Sequence, residues 1–188
     1  MPGAVILKDR ISPDNISAIL DRSSAEMNDQ ETCQAKPFST NFPEMVVKFI
    51  RTADTYPLRL KVLRPGGTLE DCDFPNDRLE GSFHLGVHLG DDRISVASFY
   101  PEKHASLNGW KQFRLRGMAT DPDLQGKGAG KRLMQFAIDH LKAQNVDVIW
   151  CNARTAAVPF YEKLGFVTKS DEFQIPGIGP HFLMIRKL

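Results

Sequence analysis

Apolar and polar residues alternate between Lys111 and Thr120. Phe113, Leu115, Gly117 and Ala119 fall on one side and Arg114, Arg116 and Met118 on the other, which is strand periodicity. Asp121-Pro122-Asp123 ends the run, because proline brings no N–H to a ladder. From Ala129 the period becomes helical. Ala129, Leu133, Met134, Ala137, Ile138 and Leu141 share one stripe, predicting a helix over 128–144. Upstream, Phe83, Leu85, Val87 and Leu89 alternate, Gly90-Asp91-Asp92 turns, and Ile94 and Val96 continue, which predicts a hairpin. The compact apolar run Met45 to Ile50 predicts a first strand, and Tyr56 to Leu63 a helix stopped by Pro65-Gly66-Gly67. A strand at 146–151, a helix at 155–164 and strands near 166–173 and 181–187 complete the chain. In the helix at 155–164, Thr155 is a candidate N-cap, Pro159 lies in the first turn, and Gly165 suits a left-handed C-terminal cap. Residues 1–44 carry weaker signals: Ser12-Pro13 could cap a short helix with Ile16, Ile19, Leu20 and Met27 inward, and 28–43 reads as loop. The expected product is an α/β (α+β) fold with a mixed, mostly antiparallel central sheet flanked by helices.

Composition narrows the class without naming a function. The chain has 188 residues, 41% apolar and 25% charged, as an ordinary globular domain does. A net charge of +1 argues against a dominant nucleic-acid surface. No run of about 18 apolar residues is present, so no membrane span is expected. Met1 to Leu20 has no positive start followed by an apolar core, and Cys33, Cys72 and Cys151 are few and widely spaced. Both features suit a reducing cytoplasm.

The chemistry concentrates between the strand and the long helix, at Gln125-Gly126-Lys127-Gly128-Ala129-Gly130. Glycines at a helix N-terminus leave backbone N–H groups unpaired and uncovered, which makes an anion site, and Lys127, Lys131 and Arg132 add positive charge. A Walker-type loop would need Gly at 125 and Ser or Thr at 132, where Gln125 and Arg132 stand. A dinucleotide fingerprint starting at Gly126 would need Gly at 131, which is Lys131; starting at Gly128 it would need Gly at 133, which is Leu133. Gln-x-x-Gly-x-Gly is met by Gln125, Gly128 and Gly130, after a Met-Ala-Thr strand end and before a helix. Here the sequence resembles the GCN5-related N-acetyltransferases, the GNAT superfamily. A second segment agrees: Ala157, Tyr161, Gly165 and Phe166 occupy the places of Ala-x-x-x-Tyr-x-x-x-Gly-Phe in the second motif of that family. One place departs. Many members carry Asn three residues before that alanine; this chain has Arg154, with Asn152 close by.

The resemblance covers about residue 45 to the end and implies a GNAT domain over 45–188 behind an N-terminal extension, 1–44. It implies acetyl-CoA as co-substrate. Gln125, Gly126, Lys127, Gly128, Ala129, Gly130 and Lys131 would hold the pyrophosphate, with main-chain contacts from Met118, Ala119 and Thr120 to the pantetheine and a contribution from Asn152. Tyr161 takes the family place of the general acid that protonates the coenzyme A sulfur. The acceptor would be a primary amine of a small molecule or protein, and a homodimer is among the assemblies the family uses. For the general base, His181, Glu172 and His84 remain open; the string Glu172-x-Phe…Pro180-His181-x-x-Met184 resembles the ending of one subgroup. A non-catalytic acyl-CoA-binding sensor or partner-binding module is the alternative.

No metal is expected. His84 and His88, four residues apart on one strand face, are separated by about 13 Å, at about 3.3 Å per residue. Two ligands to one zinc each lie only about 2 Å from it. Transfer in the family passes directly from thioester to amine, which leaves Cys151 no covalent role.

Overall fold

The structure is a computed structural model that describes residues 44–188. The expectations placed on residues 1–43, including the short helix, the loop at 28–43 and Cys33, lie outside the described residues. The strands are β1 (Met45–Ile50), β2 (Phe83–Leu89), β3 (Asp92–Tyr100), β4 (Gln112–Thr120), β5 (Val148–Arg154), β6 (Val167–Thr168), β7 (Phe173–Ile175) and β8 (Gly179–Lys187). They form one sheet in the order β1-β2-β3-β4-β5-β8-β6, with β7 also on β8. Among the described residues, only β4 and β5 run parallel. The expected mixed, mostly antiparallel sheet is therefore the one found.

The sheet opens in its middle. Pairing between β4 and β5 is confined to Gln112↔Val148, Phe113↔Ile149 and Arg114↔Trp150. Beyond that point β4 continues to pair with β3 as far as Thr120, and β5 with β8 as far as Arg154. The facing edges of the two strands are thus left without partners from Leu115 and Cys151 onward.

The long helix α2 (Ala129–Ala143) covers one face. Its stripe Ala129, Leu133, Met134, Ala137, Ile138 and Leu141 is fully buried against Leu85, Val87, Phe99, Phe113 and Leu115. Fully burying a side chain of leucine size stabilises by about 1.5–3 kcal/mol, so this stripe fixes the helix on the sheet. Tyr161 and Leu164 join the same core from helix α3 (Val158–Glu162) and its end.

Three local expectations differ from what forms. The helix expected over 56–63 is a composite: a 3-10 turn at Thr52–Thr55, a single α-turn α1 (Tyr56–Leu58) and a π-helical turn at Arg59–Leu63. Its Arg59 is fully buried rather than solvated. Thr155 does not cap α3. Its hydroxyl donates instead to Glu172 at 2.7 Å, and the helix starts at Val158, with Pro159 in its first turn. The alternation of β4 also breaks. The register against β3 slips between Val96↔Ala119 and Ser98↔Arg116, a bulge centred on Gly117 at φ +63°. Phe113 and Leu115 face the α2 core, but past the bulge it is Met118 that packs there, while Ala119 joins Leu58 and Val96 on the opposite face. A Cβ on Gly117 would lie 2.9 Å from both Arg59 Nε and Phe74 Cε2, so glycine is required for space as well as for φ.

Candidate functional site

The N-terminus of α2 follows a 3-10 turn, Pro122–Leu124, itself capped by Asp121, whose side chain accepts from the Asp123 N–H at 3.2 Å. Lys61 clamps the same Asp121 at 2.8 Å. The chain then enters α2 through Gly128, an N-cap at φ +89° with no side-chain cap. Among the described residues, no backbone carbonyl accepts from the N–H groups of residues 126–131. Six donors at the positive end of a 15-residue helix dipole are therefore left without a backbone partner. Gln125 is held back by its own amide, which donates to the Thr120 carbonyl at 3.2 Å.

All of residues 126–131 except Lys127 line a cavity of about 570 Å³ between the end of β4, the N-terminus of α2 and helix α3. Its walls include Met118, Ala119, Thr120, Gln125, Gly126, Gly128, Ala129, Gly130, Lys131 and Tyr161. Lys127 is exposed and does not line it, and Asn152 lines the neighbouring cavity instead. That second cavity, about 270 Å³, occupies the opening between β4 and β5 and includes Arg116, Gly117, Cys151, Asn152, Arg154 and His181. Met118, Ala157 and Tyr161 line both, so they mark the junction.

Tyr161 is buried at that junction, and its hydroxyl donates to Met118 Sδ at 3.7 Å. The Gly117 bulge is what turns Met118 onto this face. Burial raises the Tyr161 pKa well above the ordinary phenol value, with Cys151 nearby adding to it. The hydroxyl therefore keeps its proton at neutral pH. Burial likewise pushes the Cys151 thiol far up, with only Arg114 opposing, so it is not a thiolate nucleophile.

His181, on β8 opposite Arg154, is buried at 4% exposure and lies against Phe173. Its Nδ1 is 2.8 Å from the Gly179 carbonyl. A carbonyl only accepts, so Nδ1 carries a proton and donates it there, which leaves Nε2 as the ring nitrogen not engaged by that bond. Glu172 is exposed, accepts from Thr155, and lines neither cavity.

His84 is away from both cavities, inside a polar network that no local sequence signal announced. Arg59 and Asp77, each with its side chain fully buried, form a two-pronged ion pair at 2.5 and 2.9 Å. Tyr100 donates to Asp77 at 2.5 Å, and Arg59 also donates to the Cys72 carbonyl at 2.7 Å and to Ser98 at 2.6 Å. His84 Nδ1 lies 2.6 Å from Ser98 Oγ, and its Nε2 lies 3.0 Å from Thr52 Oγ1 and 3.3 Å from the Asp77 carbonyl. The arrangement that gives both ring nitrogens and the Ser98 hydroxyl a partner has Ser98 O–H donating to Nδ1 and Nε2–H donating outward, a neutral imidazole. Burial lowers the His84 pKa, with Arg59 adding to that effect and Asp77 opposing it. The network ties the segment before β2 to β3 and places Phe74 under the bulge, where Arg59 lies over its ring at 4.2 Å. Its role is structural support for β4. Among the described residues, no group of three His, Cys, Asp or Glu side chains converges as metal ligands would, and no helix is long and apolar enough to cross a membrane.

The chain is similar to known proteins in both sequence and fold. Residues 80–187 match the family model of the acetyltransferase (GNAT) domain. Over 142 residues, 76% of this chain and 95% of the relative, the chain is 42% identical to the uncharacterized N-acetyltransferase YitI of Bacillus subtilis (strain 168). The crystal structure of the ribosomal-protein-S18-alanine N-acetyltransferase from Escherichia coli superposes with a TM-score of 0.61 at 19% identity, covering 77% of this chain and 94% of that one. An aminoglycoside 6'-N-acetyltransferase complexed with coenzyme A gives 0.60 at 13% identity, covering 76% and 97%. At such identities the two structures show a shared fold.

Proposed function

Because the chain belongs to the GNAT family of N-acetyltransferases, we propose that it transfers an acetyl group from acetyl-CoA directly to a primary amine. One observation carries the reading: of the residues 126–131, whose N–H groups have no backbone partner, five (Gly126, Gly128, Ala129, Gly130 and Lys131) line a cavity that meets a second one at Tyr161. The donor set suits a pyrophosphate, since it offers several main-chain donors, no side chain at Gly126, Gly128 or Gly130, and Lys131 on the wall. The unpaired edge of β4 beside Met118 suits an extended pantetheine arm.

A bound thioester supplies an acyl carbon open to attack by nitrogen. The C–N bond forms as the C–S bond breaks, and the proton lost by the amine is balanced by one gained at sulfur. Tyr161 holds such a proton at the junction and is our choice of acid. His181 offers Nε2 in the second cavity and is our choice of base; Glu172 and His84 are set aside on their positions. Met118 contributes its main chain beside the reacting carbonyl. Holding both reactants at the junction replaces a bimolecular encounter with an oriented one.

The test is thermal unfolding with and without acetyl-CoA, on the wild type and a Gly128→Glu variant. Ligand at 100 times its dissociation constant adds about 2.7 kcal/mol, which raises the midpoint by roughly 5–10 °C at about 2–4 °C per kcal/mol. The variant puts a carboxylate among the donors and should abolish the rise. A folded wild type whose midpoint does not move removes coenzyme A from the reading. A shift without thiol release over a broad amine panel would leave a binding module.

A further inference from the structure

The second cavity carries a charge of its own. Arg64, Arg114, Arg116 and Arg154 line it together with His181, and no aspartate or glutamate does. Arg114 is accounted for: it pairs with Glu102 at 2.9 Å and lies over the Trp150 ring at 4.8 Å. The other three arginines have no carboxylate within ion-pair distance among the described residues. Arg64 and Arg154 both reach the Leu63 carbonyl, at 3.0 and 3.4 Å. Arg116 is half-buried over Phe74 at 4.1 Å, on the ring that Arg59 also occupies, and its guanidinium makes no hydrogen bond to another described residue.

A guanidinium has five donors and does not shed its proton near neutral pH. Withdrawing one from water without an acceptor is costly, as at the half-buried Arg116. The half-buried Arg64 and exposed Arg154 on the same cleft, each held by a carbonyl rather than a carboxylate, add like-charge repulsion. Burial pulls the Arg116 pKa down and repulsion from Arg114 adds to this, the direction expected of a cation short of an anion. An anion in the cleft would answer all three. The position of Arg116 says where: it precedes Met118 by two residues across the Gly117 bulge, at most about 7 Å along the strand, and Met118 marks the junction with the donor cavity. An anion on Arg116 and an amine at the junction fit within one small molecule.

Resting on the acetyltransferase reading above, we propose that the acceptor is a small amine bearing its own anionic group, a carboxylate or a phosphate, with Arg116 as the specificity-determining residue and Arg64 and Arg154 supporting it. The same field disfavours polycationic amines.

The test follows thiol release from acetyl-CoA over matched amines: glycine against glycinamide, phosphoethanolamine against ethanolamine, and spermidine as the cation. The anionic member should win at least one pair by about tenfold or more in kcat/KM, the scale of a charged hydrogen bond. The pair with the larger gap separates carboxylate from phosphate. Arg116→Gln should raise KM for the preferred acceptor by about tenfold or more while leaving kcat close to wild type, and Arg116→Lys should restore part of the loss. An intact acetyl-CoA-induced melting shift in these variants shows that the fold survives. If Arg116→Gln fails to fold, Arg154→Gln with the wild-type comparison decides. Neutral or cationic amines used as well as anionic ones would overturn this inference and leave acetyl transfer standing. Silence from every amine would remove the acetyltransferase reading, and the acceptor inference with it.

Discussion

Replacing Gly117 by alanine tests the link between the bulge and the site. Two costs add at this position. The φ of +63° disfavours any L side chain, at about 1–2 kcal/mol. The new methyl would also sit 2.9 Å from Arg59 Nε and Phe74 Cε2, neither of which can yield freely. Arg59 is pinned by Asp77, Ser98 and the Cys72 carbonyl, and Phe74 lies against the guanidinium of Arg116 as well. Overpacking of this kind costs about 1–3 kcal/mol. The sum, about 2–5 kcal/mol, lowers the melting midpoint by roughly 4–20 °C at about 2–4 °C per kcal/mol. Gly90→Ala is the control. It has nearly the same φ, +61°, but open space around the added carbon, so it carries the backbone cost alone. Thermal unfolding of both variants isolates the packing term, and thiol-release kinetics reads its effect on the junction. Gly117→Ala should be the less stable and should lose kcat/KM, because relief of the clash shifts Met118. Equal midpoints for the two variants, with kcat/KM intact, would refute the claim that the bulge is sterically specified and aims the site.

Tyr161→Phe should lower kcat by tenfold or more, within the range of a lost general acid, while the acetyl-CoA melting shift persists. Its hydroxyl has only a thioether as partner, so stability should barely change, and unchanged turnover would end the acid role. Stability should also fall on the acid side of neutrality. Burial, with Arg59 helping, depresses the His84 pKa below its ordinary 6.5, so the unfolded chain takes up a proton that the folded one refuses. That contribution is full above about 6.5 and declines as pH drops toward the folded value. Burial depresses the pKa of His88 as well, which adds a loss of the same sign. For Asp77, burial alone would raise the pKa, but hydrogen bonds from Arg59, Tyr100 and the Phe74 N–H lower it overall. Its contribution is present above its ordinary value of 3.8 and is lost as pH falls through the depressed folded one. Urea midpoints that stay flat between pH 7.5 and 5.5 would contradict the buried neutral histidine.

The strand, glycine loop and helix between residues 111 and 144 were legible because each is specified within a few residues of itself. A period of two gives way at a proline to a period near four, and the glycines mark where a side chain would obstruct a ligand. The stripe on α2 needed no partner to be read. Arg59 and Asp77 were not legible, since their burial depends on Ser98 and Tyr100, far along the chain. A helix carrying Arg59 and Lys61 looks amphipathic, and one of the two is indeed solvated: Lys61 reaches Asp121 at the surface. Thr155 had the right chemistry for an N-cap, but Glu172 offered its hydroxyl a charged acceptor from another segment. The face of Met118 could not be read from alternation, because one extra residue in a strand reverses every position after it. Gly117 was the available signal. An isolated glycine within a strand pattern is how bulges announce themselves.

An unpaired strand edge is ordinarily where aggregation begins, because a second chain can add its own strand to it. Proteins blunt such edges with charge, proline or coverage. Here the exposed donors and acceptors of β4 and β5 lie inside the sheet, at the opening that starts just past Arg114 and Trp150. At its apex β4 and β5 are still paired, about one strand spacing apart, whereas an inserted strand would require roughly 9–10 Å, two spacings. A polypeptide strand entering there would have to pry the sheet apart. Four arginines along the same opening add a charge barrier against basic segments. The feature that prepares this sheet for a ligand thus also guards it against polymerisation, with no separate device needed at that edge.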